Sequence, residues 1–149
     1  MEVTVPGKVM LLGDVPAGGV VGFFDQGHYV RYLRTASANS THVAVVSLGP
    51  FCDPDFSPNV QGPTSYFWEA DNAVVFEENT AIAPKLDSVR DPANHGHVSL
   101  GTIAMCKNGQ ICIFSRNMRG DRAWIDLTNG ELVKNPKALV LYEQYVLTM

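Results

Sequence analysis

Apolar residues along this chain alternate with small or polar ones over short runs, and glycine-bearing turns divide the runs. Residues 20–24 and 28–33 flank Gln26-Gly27, and residues 102–106 and 111–115 flank Asn108-Gly109. Period-two alternation bounded by such dipeptides predicts half-buried strands joined as hairpins. Asn-Gly is the stronger turn signal, because both central positions of a type I′ turn need φ > 0. Helical periodicity is confined to a turn or two near residues 86–90 and 135–138. With nine Pro and thirteen Gly spaced among the short runs, the pattern predicts an all-β fold.

The pattern occurs twice. Residues 19–34 lie without gaps over residues 101–116, with Gly19/Gly101, Gly27/Gly109 and Arg34/Arg116 identical. Each copy continues with a polar turn, an apolar strand ending in a glycine turn (44–49 and 123–130), and a β run closed by an acid (73–77 and 139–143). A repeat decides architecture ahead of other signals. It predicts two similar small antiparallel sheets or SH3-like barrels, packed about a pseudo-twofold axis. The first module covers 1–78, a linker with little β pattern covers 79–96, and the second module covers 97–149. Copy one carries an insertion at 50–72, rich in Pro, Asp and aromatic residues. Long loops in compact domains are often functional, which makes Tyr66, Phe67 and Trp68 candidates for a recognition loop or an aromatic lid.

Two-residue turns also assign faces. They put Val21, Phe23, Val30 and Tyr32 on one face of copy one, and Ile103, Met105, Cys112 and Phe114 on one face of copy two. The opposite faces hold Gly22, Phe24, Tyr29 and Arg31, against Ala104, Cys106, Ile111 and Ile113. The last set is too apolar to face water, so a cover is expected, most simply the other copy. The same register places Cys106 and Cys112 on opposite faces, unable to bond. Cys52 makes three cysteines, an odd number that does not describe a disulfide framework. The beginning of the chain does not read as a signal peptide, and no apolar run approaches the ~20 residues of a membrane span. A cytoplasmic protein without membrane contact is expected.

Charge adds a division. Through residue 98 there are five Lys/Arg against eleven Asp/Glu, and after it six against four, so the halves carry −6 and +2. No basic stripe of the kind nucleic acid needs is present, and nucleic-acid binding is not expected.

Candidate chemistry is sparse. Asp25 and His28 face each other across the first turn, where an exposed pair counts for little. His95-Gly96-His97 supplies two metal ligands without a third at a recognisable spacing. Ser47-Leu48-Gly49 and Ser99-Leu100-Gly101 lack the leading glycine of a nucleophile elbow. Cys52 sits beside Asp53 and Asp55, which disfavours a thiolate. Arg119-Gly120-Asp121 reads as a hairpin turn. No catalytic residue, metal ligand or cofactor is assigned, and an enzyme is not expected. Binding candidates are clearer: Arg34 and Arg116 at equivalent positions, Arg119 and Arg122 at strand ends or turns, and Trp124. Arginine's rigid fork suits carboxylates and phosphates. Alternation puts Ala123, Ile125 and Leu127 inward and leaves Trp124 on the other face, either between the copies or as an exposed anchor.

Leu12-Gly13 and Leu100-Gly101 precede the two hairpins, each followed by an apolar strand, a short turn and a second strand. In this the chain resembles short uncharacterised β proteins common in bacteriophage genomes, here as two units in tandem. Those proteins carry a Tyr-x-Lys step where this chain has Arg31 or Ile113. The resemblance implies a small barrel-like module and a phage or mobile-element origin, and no activity. The expected function is therefore a non-catalytic interaction protein that binds a host or viral protein in the host cytoplasm. Its contacts would come from the 50–72 loop, the Trp124 face or the strand-end arginines. The alternatives are a small anionic ligand or nucleotide binder, clamped by Arg34 and Arg116, and a self-assembling virion structural protein. A homo-oligomer is compatible with either.

Overall fold

The computed structural model describes residues 7–25, 27–49, 62–92 and 98–148. Among them lie β1 (Lys8–Leu11), β2 (Val20–Asp25), β3 (His28–Ala38), β4 (His42–Gly49), β5 (Ser65–Glu69), β6 (Ala73–Phe76) and β7 (Ala81–Pro84). The second half adds β8 (Val89–Arg90), β9 (Ile103–Cys106), β10 (Ile111–Arg116), β11 (Arg122–Asp126), β12 (Leu132–Val133), β13 (Ala138–Tyr142) and β14 (Tyr145–Thr148). The helical residues described are two 3₁₀ turns, Leu12–Asp14 and Leu86–Ser88, so the all-β class read from the alternation holds. No helix among the described residues is long and apolar enough to cross a membrane.

The first sheet runs β1-β6-β2-β3-β4-β5, the second β12-β11-β10-β9-β13-β8, and β14 pairs with β7 as a separate ribbon. The named strands pair antiparallel. Neither six-stranded sheet closes on itself, so of the two expected forms, antiparallel sheets or SH3-like barrels, the structure has open sheets. The runs β6-β2-β3-β4 and β13-β9-β10-β11 have the same order. β6 meets β2 through Val21↔Phe76 and Gly22↔Val75, and β13 meets β9 through Ile103↔Tyr142 and Ala104↔Leu141. These are pairs that the sequence alignment superposes.

All six strands of the first sheet feed one cluster from the same face: Met10, Val21, Phe23, Val30, Tyr32, Val43, Val45, Tyr66, Trp68, Val74 and Phe76, with Leu12 and Val15. A face converging on one cluster requires the sheet to coil around it. Its other face sends Val20, Leu33, Val46 and Leu48 into a second cluster with Ile103, Ile113 and Ile125. The ribbon lends Ile82, Tyr145 and Leu147 to this layer. Each fully buried aliphatic side chain is worth about 1.5–3 kcal/mol, so these contacts hold the two sheets together. Tyr145 adds a hydrogen bond from its hydroxyl to Leu48 O at 2.6 Å, and burial raises its pKa.

The second hairpin departs from the expected register by one residue. Met105 pairs with Ile111, Ala104 with Cys112 and Ile103 with Ile113. Gly109 N–H donates to Cys106 O at 3.0 Å, and Cys106 N–H to Gln110 O at 2.9 Å. The loop thus holds Lys107, Asn108 and Gly109, with Gly109 at φ 87°. That is a three-residue turn ending in a left-handed glycine bulge, in place of a two-residue type I′ turn. Because side chains alternate, the slip turns β10 over relative to β9. Ile111 and Ile113 enter the layer between the sheets, while Cys112 joins Ala104, Cys106 and Leu141 on the outer face. The two thiols therefore share a face, which corrects the opposite-face reading, and the Cys106 thiol points to Ala104 O at 4.0 Å. Both are free, and burial pushes Cys112 up to about 12.

Two further expectations change. Of the 50–72 insertion, residues 50–61 lie outside the described residues, and 65–69 form the edge strand β5. The supposed linker contains β7 and β8, paired to β14 and β13. His95, His97 and Cys52 lie outside the described residues.

Candidate functional site

The second sheet covers only part of the first sheet's outer face. Register places Val9, Val75, Gly22, Arg31 and Gly49 in one row across β1, β6, β2, β3 and β4. A neighbouring row holds Leu11 opposite Ala73, and Phe24 lies opposite Tyr29. Val9 is 67% exposed, Leu11 46% and Phe24 57%, so this half of the face presents apolar side chains to water.

Beneath them lies a buried ionic network. Glu77, whose side chain is 0% exposed, follows the last residue of β6 and accepts from three side chains. Tyr29 Oη donates at 2.7 Å, Thr80 Oγ1 at 2.8 Å, and Arg31 Nε to both carboxylate oxygens at 3.0 Å. A buried carboxylate is tolerable only when paired and hydrogen-bonded, and here both conditions are met. Burial is the first cause raising the Tyr29 pKa, with the bond to Glu77 second. Gly22 makes room for this: a Cβ there would collide with the Tyr29 ring and hydroxyl. The Arg31 guanidinium lies 5.3 Å from the Tyr29 ring centre, and the Phe24 ring centre lies 5.1 Å from that of Tyr29. Through Nε, Glu77 fixes the plane of the guanidinium. Among the described residues the two terminal nitrogens have no hydrogen-bond partner, and the side chain is 30% exposed. The result is an oriented fork and an exposed aromatic ring, both in contact with Tyr29.

The arginines named from sequence fall elsewhere. Arg34 lies within β3, not at its end. It lines a groove of about 340 Å³ with Asp14 and Asp71 and donates to Thr35 O, while its buried Nε has no partner. Desolvation lowers its pKa. An adjoining groove of about 470 Å³ adds His42 and Glu69, which are cross-strand neighbours. Three carboxylates against one guanidinium make this end of the sheet a poor anion site. Arg116 instead ties the sheets together: its N–H donates to Pro63 O at 3.1 Å and its Nε to Thr64 Oγ1 at 3.3 Å. The contacts described for Arg34 and for Arg116 thus go to different residues.

Arg119 belongs to a turn organised by Asn117, whose Oδ1 accepts from the N–H groups of Arg119 and Asp121 at 2.9 and 3.0 Å. Arg122 stacks 5.9 Å from the Phe114 ring centre. Trp124 lies outside the layer between the sheets, half-buried, with its ring 4.7 Å from Phe114 and packed over the Ala104–Cys106–Cys112–Leu141 cluster. Tyr66 and Trp68 point into the first sheet's core, and Phe67, 62% exposed, points away from it.

Sequence reasoning placed Phe24, Tyr29 and Arg31 on one face but missed Glu77, which makes them a unit. The available signal was an acid directly after Val74-Val75-Phe76, within reach of an arginine two strands away. Among the described residues no group of three or more His, Cys, Asp or Glu could hold a metal ion. Comparison of the chain with protein-family models, curated proteins and solved structures finds no match in any of the three.

Proposed function

We propose that the chain is a non-catalytic interaction protein whose partner protein docks on the uncovered half of the first sheet's outer face. The observation that carries this reading is the Arg31 fork, oriented by buried Glu77 and without a partner for its terminal nitrogens among the described residues, with exposed Phe24 on the same face. Exposed apolar side chains rimmed by polar groups mark interaction sites, and arginine and aromatic anchors dominate their energetics. The chemistry of the partner follows: an apolar surface carrying a carboxylate, which the guanidinium would take with two parallel hydrogen bonds. The non-catalytic half of the reading rests on the buried acids. Glu77 is engaged by three side chains, and Asp126 by Gln110 Nε2 at 3.2 Å and Thr128 N–H at 2.8 Å.

The test is quantitative capture from bacterial lysate by the wild-type chain, Phe24→Asp, Arg31→Leu and the control Phe67→Asp. One protein retained by wild type and Phe67→Asp, lost with Phe24→Asp and weakened with Arg31→Leu, is the expected result. Equal retention by all four chains would sink the assignment of this surface. A Phe24-dependent dimer of the chain itself, seen by light scattering, would replace it with self-assembly of the kind a virion structural protein shows.

A further inference from the structure

The chain has five lysines, and three of them converge on one pocket. Lys107 lies in the three-residue turn between β9 and β10, while Lys134 and Lys137 lie in the segment between β12 and β13. They line a pocket of about 260 Å³ together with Asn108, Gln110 and Asn135. No carboxylate lines it among the described residues.

Both walls are held in place. Lys107 N–H donates to Lys137 O at 3.2 Å, joining one segment to the other. Asn108 closes the turn, accepting from Gln110 N–H at 3.0 Å and donating to Gln110 Oε1 at 2.9 Å. Gln110 is itself anchored to buried Asp126 at 3.2 Å. Asn135 has φ 51°, the one non-glycine residue with positive φ among those described. Such conformations persist where the surrounding structure fixes them, and they concentrate at functional sites.

The charge pattern is what points to a ligand. Outside the pocket, Lys8 sits 2.8 Å from Glu78 and Lys85 4.0 Å from Asp87. For the three lysines that line it, no side-chain hydrogen-bond or ion-pair partner is found among the described residues. Three like charges around one concavity repel one another, and among the described residues no carboxylate lines it, in a chain whose net charge is −4.

We infer that this pocket is an anion site, and that its ligand is a small molecule carrying a phosphate or diphosphate group. Ammonium groups act as point charges toward phosphate, and two or three of them match a multiply charged group better than a single carboxylate. Asn108, Gln110 and Asn135 supply amide groups at the rim, and Pro136 stiffens the wall between the two lysines. At about 260 Å³ the pocket falls below the usual range for drug-sized ligands, which favours a compact anion. The site lies on the second sheet and is independent of the Arg31 surface.

The probe is inorganic pyrophosphate, titrated into the isotope-labelled full chain at constant ionic strength and followed by amide shifts in NMR. Saturable shifts confined to residues 106–110 and 133–137 are the expected result. Single Lys→Gln changes at 107, 134 or 137 should each weaken binding about threefold to fivefold, and the triple change by more than about tenfold. The ligand-free triple variant should melt no lower than wild type, because removing repulsion costs the fold nothing. Equal affinity for wild type and triple variant would overturn the site, as would shifts of similar size at Arg119 and Arg122. A single-stranded oligonucleotide that binds more tightly than pyrophosphate and shifts amides well beyond the two segments would overturn the small-molecule class.

Discussion

The hairpins β2–β3 and β9–β10 have nearly the same pattern of apolar and polar positions, yet they present different faces to the rest of the molecule. In the first, Asp25 pairs with His28 across two residues, and Val21, Phe23, Val30 and Tyr32 share the core face. In the second, one added loop residue moves Ile111 and Ile113 to the side of Ile103. That shift supplies the second sheet with the apolar surface that meets the first. It also gathers Ala104, Cys106 and Cys112 under Trp124 on the opposite side. Alternation alone fixes which residues travel together along a strand. The turn fixes which strand faces are joined, and a single residue there decides the packing of a whole sheet.

The equivalent acids sharpen the contrast most. Glu77 is buried under three donors, whereas Glu143 meets Arg90 at 3.5 Å with its side chain 52% exposed. Glu77→Ala should lower stability by about 3 kcal/mol, since it strands Arg31 and Tyr29, and urea unfolding would measure it. Glu143→Ala should cost less than about 0.5 kcal/mol in the same assay. Equal losses would mean that the buried network does not distinguish the two sheets.

Next in size is the strand position shared by Gly22 and Ala104. Gly22→Ala drives a methyl into Tyr29 and should cost about 1–3 kcal/mol while releasing the ring from Glu77. The buried Ala104 shows that the second sheet accommodates a methyl at this place. A Gly22→Ala chain as stable as wild type would show that Tyr29 is not seated across Gly22.

The smallest effect at neutral pH concerns the thiols that the slip brings together. Cys112 moves from the ordinary 9.0 to about 12, mainly through burial, so the folded state favours the neutral thiol. Its contribution to stability is complete below pH 9 and declines as pH rises toward 12, with Tyr29 and Tyr145, also raised, adding to the loss at the alkaline end. Iodoacetamide at pH 8 should therefore leave both described thiols unmodified in folded protein and modify them once urea unfolds it. Rapid labelling of the folded chain at Cys112 would show that β10 faces otherwise.

The sequence carried the two hairpins and the strands that follow them, the first sheet's core face and the grouping of Phe24 with Tyr29 and Arg31. It did not carry the turn count at Asn108-Gly109, because that dipeptide serves both two-residue and three-residue loops and the choice is made by packing in the completed sheet. β5 was obscured because Tyr66-Phe67-Trp68 has no polar alternation: two rings enter the core while Phe67 stands outside. β7, β8 and β14 are short segments whose partners lie far along the chain, so no local period announces them. The lysine pocket needed two turns to meet, and the spacing within either turn does not encode that meeting.

The ribbon of β7 and β14 has a consequence for the order of assembly. Thr148 bonds back to Ala81 across 67 positions, and Tyr145 to Leu48 across 97. Contacts that close such long loops are slow to form and are reached only after nearer pairings are in place. On a chain made from its first residue onward, the β2–β3–β4 meander can pair while β14 is still unmade. The tyrosine hydroxyl that joins the layers therefore arrives late, and until then apolar residues of the layer between the sheets stay open to water. Assembly has a waiting period, and its length is set by the far end of a two-stranded ribbon.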